Sequence, residues 1–440
     1  MEALAWLLGF ADMERGVGWN PRASPDEQWK LGRTRALLDL AGAPDRSLAC
    51  ILIAGTKGKG STAAMLASIL SAASTPVGLY SKPHLQTYYE RIRVDGQAID
   101  PETFAGAVGR LRRVVDALRR THPEAGEPTT FELTTTLALD HFARTGCRVA
   151  VVEVGLGGRL DATNAVEPVA SVIAPISRDH TAILGNTLAA IAREKAGILR
   201  RDRPALLARQ RPAAAAALAR ACRATGARCR VVPPLVAAGG GRALVPASSG
   251  GRGDSPVSVR LSLVGDHQRQ NAALAVAAAR AWRPVPDDAV RRGLEQLRWP
   301  GRFEVVSGTP PVVLDGAHND ASAAALAATL RDYAGDRPVH LVVGINRDKE
   351  VAAFLRPLLR LAVTVRATRA VGLARGYTPD ELARLCRRLA PVPVAVSPDV
   401  AHALGATRLD AHGVVCVTGS LALVGQARDA LGIPPPNRLW

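Results

Sequence analysis

The chain runs to 440 residues, too long for one ordinary core, so two domains are expected, each able to bury a sizeable apolar interior. At 48% hydrophobic and 22% charged residues, the composition is that of a globular protein and excludes a largely disordered one. The formal charge is +17, but the basic residues are scattered singly or in pairs, with no long basic run, so small anionic substrates and ATP are the expected partners and nucleic acid is not.

The first part alternates strands near 48–54, 148–153, 169–175 and 204–207 with helices near 60–73, 102–120, 131–144 and 187–199, the signature of a parallel α/β architecture. At its start, Ile51-Leu-Ile-Ala-Gly-Thr-Lys-Gly-Lys-Gly-Ser-Thr62 reads as an apolar strand, a glycine-rich turn and a helix start. Gly55, Gly58 and Gly60 let successive N–H groups converge on an anion, with Thr56 and Lys57 in the same loop. Lys59 would reach the terminal phosphates of ATP and Ser61 would bind Mg²⁺. The common G-x-x-x-x-G-K-[ST] spacing is not met: Ile53 stands at the first Gly position and Gly60 follows the Lys. An ordinary Gly-rich turn is the alternative.

The strand Val149–Glu153 ends in a carboxylate at the strand end where parallel sheets bind ligands, so Glu153 is placed for a metal ion, unless it caps a helix or faces water. Arg159 and Asp161 follow in a loop over the same crevice. The next strand leads into Ile176-Ser-Arg-Asp-His-Thr181, where His180 is either a metal ligand or a structural histidine. On the following helix, capped by Asn186, Leu188, Ile191, Ala192, Lys195 and Ile198 share one face, so Lys195 points inward or snorkels out. Burial would lower its pKa, and a neutral amine reacts with CO₂ to give a carbamate able to hold a second Mg²⁺.

Segment 237–256 is rich in Gly, Ser and Ala and reads as a loop or weak hairpin; its Arg252-Gly253-Asp254 is a chance match to an adhesion tripeptide. Helices follow from Asp266 to Trp282 and from Asp287 to Leu297. Trp299-Pro-Gly-Arg302 then breaks the pattern, and the boundary is placed there: 1–298 and 299–440. The second, smaller part alternates strands near 311–314, 338–343, 362–366, 392–396 and 413–417 with helices near 319–332, 350–359, 378–389 and 420–430, a Rossmann-like arrangement. Its Leu314-Asp-Gly-Ala-His-Asn319 again sets polar residues, Asp315 and His318, after a strand.

Six cysteines, at 50, 147, 222, 229, 386 and 416, form no C-x-x-C pair and read as buried free thiols rather than metal ligands or disulfides. Of the 56 basic residues only six are Lys, at 30, 57, 59, 82, 195 and 349. In so Arg-rich a chain, a retained Lys points to amine chemistry that a guanidinium cannot perform. No apolar run is long enough to span a bilayer and Met1-Glu-Ala-Leu-Ala lacks signal-peptide features, so a cytoplasmic protein without a membrane partner is expected.

Taken together and in order, Gly55–Ser61, Ser81-Lys-Pro-His-Leu85, Glu90-Arg-Ile-Arg-Val94, Thr130-Phe-Glu132, Glu153–Asn164, Asp179-His-Thr181, Arg193-Glu-Lys-Ala-Gly197, His267-Gln-Arg-Gln-Asn271, Gly301-Arg302, Leu314–Asn319 and Thr418-Gly-Ser420 resemble the folylpolyglutamate synthase and dihydrofolate synthase family of the wider Mur ligase group. The resemblance implies a P-loop Mur-ligase-type ATPase domain followed by a smaller Rossmann-like ligase domain. It also implies an ATP-dependent ligase adding L-glutamate to dihydropteroate or a folate through an acyl phosphate. By the same likeness, Asn271, Arg302 and Asp315 contact ATP, and Ser61, Glu153, His180 and carbamylated Lys195 serve two Mg²⁺ sites. Ser81, Lys82, His84, Phe131, Arg159 and Asp161 line the acceptor site, His318 and Ser420 lie at the glutamate site, and Lys59, His318 and Lys195 are the catalytic set. A monomer is expected. Lys82 and Tyr89 depart from the commoner pattern, where a small residue and Asn stand, and an added ammonium could favour a more anionic acceptor. The rivals are another Mur-type ligase acting on a cell-wall precursor and a basic P-loop ATPase that binds nucleic acid.

Overall fold

Parallel strands buried on both faces need continuous apolar runs, and this chain supplies two sets of them. A computed structural model describes residues 2–12, 18, 30–247, 255–347, 350–372, 376–407 and 413–440. Lys349 and Arg252-Gly253-Asp254 lie outside the described residues. The first set forms an eight-stranded sheet from β1 (Ala49–Ala54), β2 (Val77–Tyr80), β3 (Ile92–Val94), β4 (Gln97–Ala98), β5 (Val149–Glu153), β6 (Ala170–Ile173), β7 (Pro204–Ala208) and β8 (Arg228–Val232). Its order is β4-β3-β2-β5-β1-β6-β7-β8, parallel from β2 to β8, with β3 and β4 as an antiparallel edge.

The order of the strands positions the site. From β1 the chain passes to β2 on one side of the sheet and later to β6 on the other, so a crevice opens beyond the carboxyl end of β1. The helix Lys59–Ala72 fills one face of the sheet beside the helices His267–Trp282 and Asp287–Gln296. Gly293 allows that packing: a Cβ there would lie 2.5 Å from Ile69 Cα, and the Ser68 hydroxyl donates to the Gly293 carbonyl at 2.8 Å. The other face carries Pro101–Thr121 and Thr130–Arg144.

The described residues of segment 237–256 hold more regular structure than a weak hairpin. β9 (Val236–Ala237), β10 (Arg242–Val245) and β11 (Val257–Arg260) form a three-stranded antiparallel sheet whose Ala243, Val245 and Val259 are buried against the first lobe. The expectation of six free thiols is corrected at two positions: Cys222 and Cys229 are joined by a disulfide that ties the end of the helix Pro212–Thr225 to β8. The helix Pro212–Thr225 brings the two residues together, a proximity that the spacing of the cysteines alone does not show. Cys50, Cys147, Cys386 and Cys416 are free and buried. The cap of the helix Leu188–Ala196 is Thr187 and not Asn186: the Thr187 hydroxyl accepts from the Ala190 N–H at 3.1 Å.

The second set forms a six-stranded sheet from β12 (Glu304–Val306), β13 (Val312–Asp315), β14 (Val339–Val343), β15 (Ala362–Ala367), β16 (Val394–Val396) and β17 (Val414–Thr418), ordered β12-β13-β17-β14-β15-β16 and parallel except for β12. Asp315 and Thr418 are register partners at the carboxyl edge of adjacent strands. The chain then returns to the first lobe. Leu439 donates to the Gly96 carbonyl and accepts from Arg298, Asn437 accepts from Ala98, and the Leu439 side chain is buried in the first lobe's core. No described helix is long and apolar enough to cross a membrane.

Candidate active site

The glycine loop folds as its composition requires. Gly55 (φ +151°) and Gly58 (φ +80°) adopt angles that side chains resist, and a Cβ on Gly58 would sit 2.2 Å from Asn271 Oδ1. Thr56 and Lys57 donate their N–H groups to the Pro175 carbonyl at 2.9 and 3.1 Å, tying the loop to the segment after β6. Gly58 then starts the helix Lys59–Ala72, which aims its positive end at the crevice. Asn271 is buried and donates to Gln268 at 2.8 Å, so it supports the loop from beneath. Ser61 is buried at the helix start.

Glu153 ends β5 directly beside this loop. Its carboxylate is 3.9 Å from the Lys59 ammonium, accepts the Lys82 backbone N–H at 3.2 Å, and would lie 3.3 Å from a Cβ on Gly60. Burial raises the Glu153 pKa, while Lys59, Lys82 and Arg302 pull it down. Burial likewise lowers the Lys59 pKa against the pull of Glu153. Lys195 is only 4% exposed, and burial, with the Lys59 charge next, lowers its pKa from 10.5 to about 7. Asp179 and Asp161 act on it in the opposite sense.

The second lobe meets this cluster at two points. Lys57 Nζ is 3.0 Å from Asp179 Oδ2 and 3.4 Å from His318 Nε2, and Asn319 Nδ2 donates to the same Asp179 oxygen at 3.0 Å. Asp315 accepts from Phe303 and Ala317 N–H groups at 2.8 Å each; burial raises its pKa and Arg302 opposes the rise. The Arg302 charge thus acts on Asp315 and Glu153 together, across the space between the lobes. Ser420, two residues beyond β17, caps the helix Leu421–Ala430 by accepting from the Leu423 N–H.

On the far side of Glu153, Lys82 Nζ lies 5.1 Å from the Phe131 ring centroid and Tyr80 stacks on that ring at 6.1 Å. Gly155 leaves room between Phe131 and Asp161, both within 2.8 Å of where its Cβ would be. Asp161 accepts from the Leu156 and Thr163 N–H groups and the Thr163 hydroxyl, so it shapes its own loop. Ser81 is buried and its N–H donates to the Arg91 carbonyl.

Three expected residues stand apart from this convergence. Arg159 is half exposed and paired with Glu194 at 3.0 Å. His84 accepts from Arg91 Nε at 3.0 Å and packs on Tyr88. His180, at φ +50°, is 42% exposed with its ring 3.8 Å from Asp179. Sequence reasoning missed Asp179 as a hub, although its place after a parallel strand was a usable signal, and it missed Asn319 as its cross-lobe partner. Among the described residues no three His, Cys, Asp or Glu side chains cluster for a metal.

Two family models match the chain: the Mur ligase middle domain over residues 53–228 and the Mur ligase glutamate ligase domain over residues 301–421. A dihydrofolate synthase/folylpolyglutamate synthase of Bacillus subtilis is 34% identical over 91% of this chain and 94% of its own length. A probable bifunctional folylpolyglutamate synthase/dihydropteroate synthase of Haloferax volcanii is 38% identical over 90% of the chain, which spans only 47% of that longer protein. Among solved structures, a Mycobacterium tuberculosis folylpolyglutamate synthase complexed with ADP superposes with a TM-score of 0.85 at 34% identity, covering 93% of this chain and 97% of that one. Escherichia coli FolC in complex with DHPP and ADP gives 0.84 at 29% identity, covering 98% and 97%.

Proposed function

The chain belongs to the folylpolyglutamate synthase and dihydrofolate synthase family of Mur ligases, and from that premise we propose that it is an ATP-dependent ligase joining L-glutamate to dihydropteroate or a (tetrahydro)folate. The observation that supports this reading most is the convergence of the glycine loop, Lys59 and Glu153 of one lobe on Arg302, Asp315 and His318 of the other. The ADP and DHPP bound by the solved relatives fit these two sides of Glu153.

The reaction asks mainly for positioning and charge screening. An acceptor carboxylate oxygen attacks the γ-phosphorus of ATP, ADP leaves, and an acyl phosphate results. The neutral amine of glutamate attacks the acyl carbon, phosphate leaves, and the amine gives up a proton to reach the amide. Gly55 to Gly60 and Lys59 hold the phosphates, Asn271 supports the loop, and Arg302 and Asp315 face the nucleotide from the second lobe. His318 and Ser420 serve the incoming glutamate. Phe131, Ser81, Lys82 and Asp161 form the acceptor wall, while Arg159, through Glu194, and His84, through Arg91, act by positioning.

Magnesium suits the donor set. Mg²⁺ takes hard oxygens, keeps waters and shares substrate phosphates, so the Glu153 carboxylate and Ser61 hydroxyl beside the loop fit it without a cluster of three acidic or imidazole ligands. Bound there, it would screen the triphosphate's charge. Lys195 fits a carbamate: half its amine is neutral near pH 7, and the nitrogen lone pair adds to CO₂ as one N–H proton leaves to water. The product is a carboxylate that would serve a second Mg²⁺, and His180 would join it only by turning inward from its exposed place beside Asp179. The domain boundary is proposed at residue 298/299.

The test is ATP consumption by the purified protein with product mass spectrometry. ATP should be consumed only when both L-glutamate and dihydropteroate or tetrahydrofolate are present, each product carrying one added glutamyl mass. Turnover indifferent to these substrates and accelerated by DNA or RNA would replace the reading with a nucleic-acid ATPase.

A further inference from the structure

We propose that the Lys82 ammonium receives the acceptor's carboxylate and aligns it for attack on the terminal phosphoryl group, a role that rests on the ligase reading above. Lys82 stands just past β2, which pairs with β5, so its backbone is set beside Glu153 by sheet register and by the 3.2 Å hydrogen bond to that carboxylate. From this anchor the side chain reaches the Phe131 ring, leaving its charge 5.1 Å from the centroid. Phe131 is itself fixed. The next residue, Glu132, caps its helix jointly with Thr129 and is paired with Arg33 at 3.0 Å, both partners being buried.

The ammonium therefore stands at the border between an aromatic wall and the phosphate loop. Its charge acts on Glu153 and on Lys59, so it is close to both. An acceptor whose ring lies along Phe131 must bring its carboxylate past this point to reach the phosphate held by Lys59. The Lys82–Phe131 contact is readily exchanged, because a carboxylate offers a shorter, charge-assisted hydrogen bond.

The chemistry explains the benefit. Carboxylate and triphosphate are both anions, and their approach is opposed until a fixed cation stands between them. One carboxylate oxygen forms the new bond to phosphorus, the bond from phosphorus to the β-phosphate oxygen breaks, and ADP keeps the electron pair. No proton moves, so Lys82 needs only to stay charged. A lysine suits the place because its point charge on a flexible stem can leave the ring and follow the carboxylate.

The test compares Lys82→Met and Lys82→Arg with the parent, measuring KM for acceptor, ATP and L-glutamate separately, and trapping acyl phosphate with hydroxylamine. Lys82→Met should raise the acceptor KM about tenfold or more and reduce hydroxamate formation, with the other two KM values within about twofold, while Lys82→Arg recovers most of the loss. An acceptor KM within about twofold of the parent's, or an equal rise in all three, overturns the proposal. Should Lys82→Met fail to fold, Lys82→Gln is read by the same criteria. A parent that ligates glutamate while Lys82→Met is unchanged refutes only this role; a parent that ligates no acceptor refutes the ligase reading first.

Discussion

Replacing Lys195 by Met tests what burial does to an amine. The fall of the Lys195 pKa from 10.5 to about 7 corresponds to about 5 kcal/mol of penalty on the charged form in the folded protein. Methionine has similar length and no charge, so Lys195→Met should stabilise the CO₂-free protein at pH 7 by about 2 to 5 kcal/mol, the lower end allowing for relaxation and water penetration around the buried ammonium. The sign of the pH dependence follows from proton counts. Between pH 7 and 10.5 the unfolded parent holds a proton that the folded parent has lost, so the parent gains stability as pH rises. The advantage of the Met variant should therefore shrink by about 1.4 kcal/mol per pH unit above 7 and be constant below it. Denaturant unfolding of both proteins at pH 6, 7, 8 and 9 measures this. Added bicarbonate should stabilise the parent alone, since only an amine forms a carbamate. Activity should vanish in Lys195→Met and in Lys195→Arg. A Met variant less stable than the parent at pH 7, or a difference that ignores pH, would refute the reasoning; unchanged activity in Lys195→Arg would remove Lys195 from the site.

Gly58→Ala puts a methyl group 2.2 Å from Asn271 Oδ1 at φ +80°, so ADP affinity measured by calorimetry should drop about tenfold or more, and an unchanged Kd would contradict the loop's role. Asn319→Ala removes the cap that accepts the Ser322 N–H at 3.0 Å and the hydrogen bond to Asp179; urea unfolding should show a loss of about 1 to 2 kcal/mol, and no loss would deny both contacts. Replacing Cys222 and Cys229 together by Ser opens a loop of sequence separation 7 and should cost about 2 kcal/mol without reductant; equal stability of parent and variant would speak against the bridge.

Where strands are almost wholly apolar the architecture was legible: β1 is an unbroken hydrophobic run, and β5, β6, β13, β14 and β17 each carry a single polar residue in an otherwise apolar one. Glycine-bearing β2 was not. β2 has four residues including Gly78, which looks like a turn residue but is required because a Cβ there would lie 2.3 Å from Phe142. The helix Leu31–Leu40 escaped because its pattern is weak, yet it supplies Arg33 to Glu132. In the site, residues whose place follows from strand ends and loop glycines, such as Lys59, Glu153 and Asp315, could be found from the sequence. Side-chain direction could not: Arg159 turns to Glu194 and His84 to Arg91, choices made by partners distant in sequence or by a local turn.

The return of Asn437–Trp440 to the first lobe gives the two lobes two covalent crossings, one near Trp299 and one at this terminal strip, with Arg298 hydrogen-bonded to Leu439 where they meet. A single tether would let the ligase lobe swivel about any direction. Two tethers held side by side would favour rotation about the line through them, so any change in the gap between Glu153 and Asp315 would follow one arc and return Arg302 to the same approach.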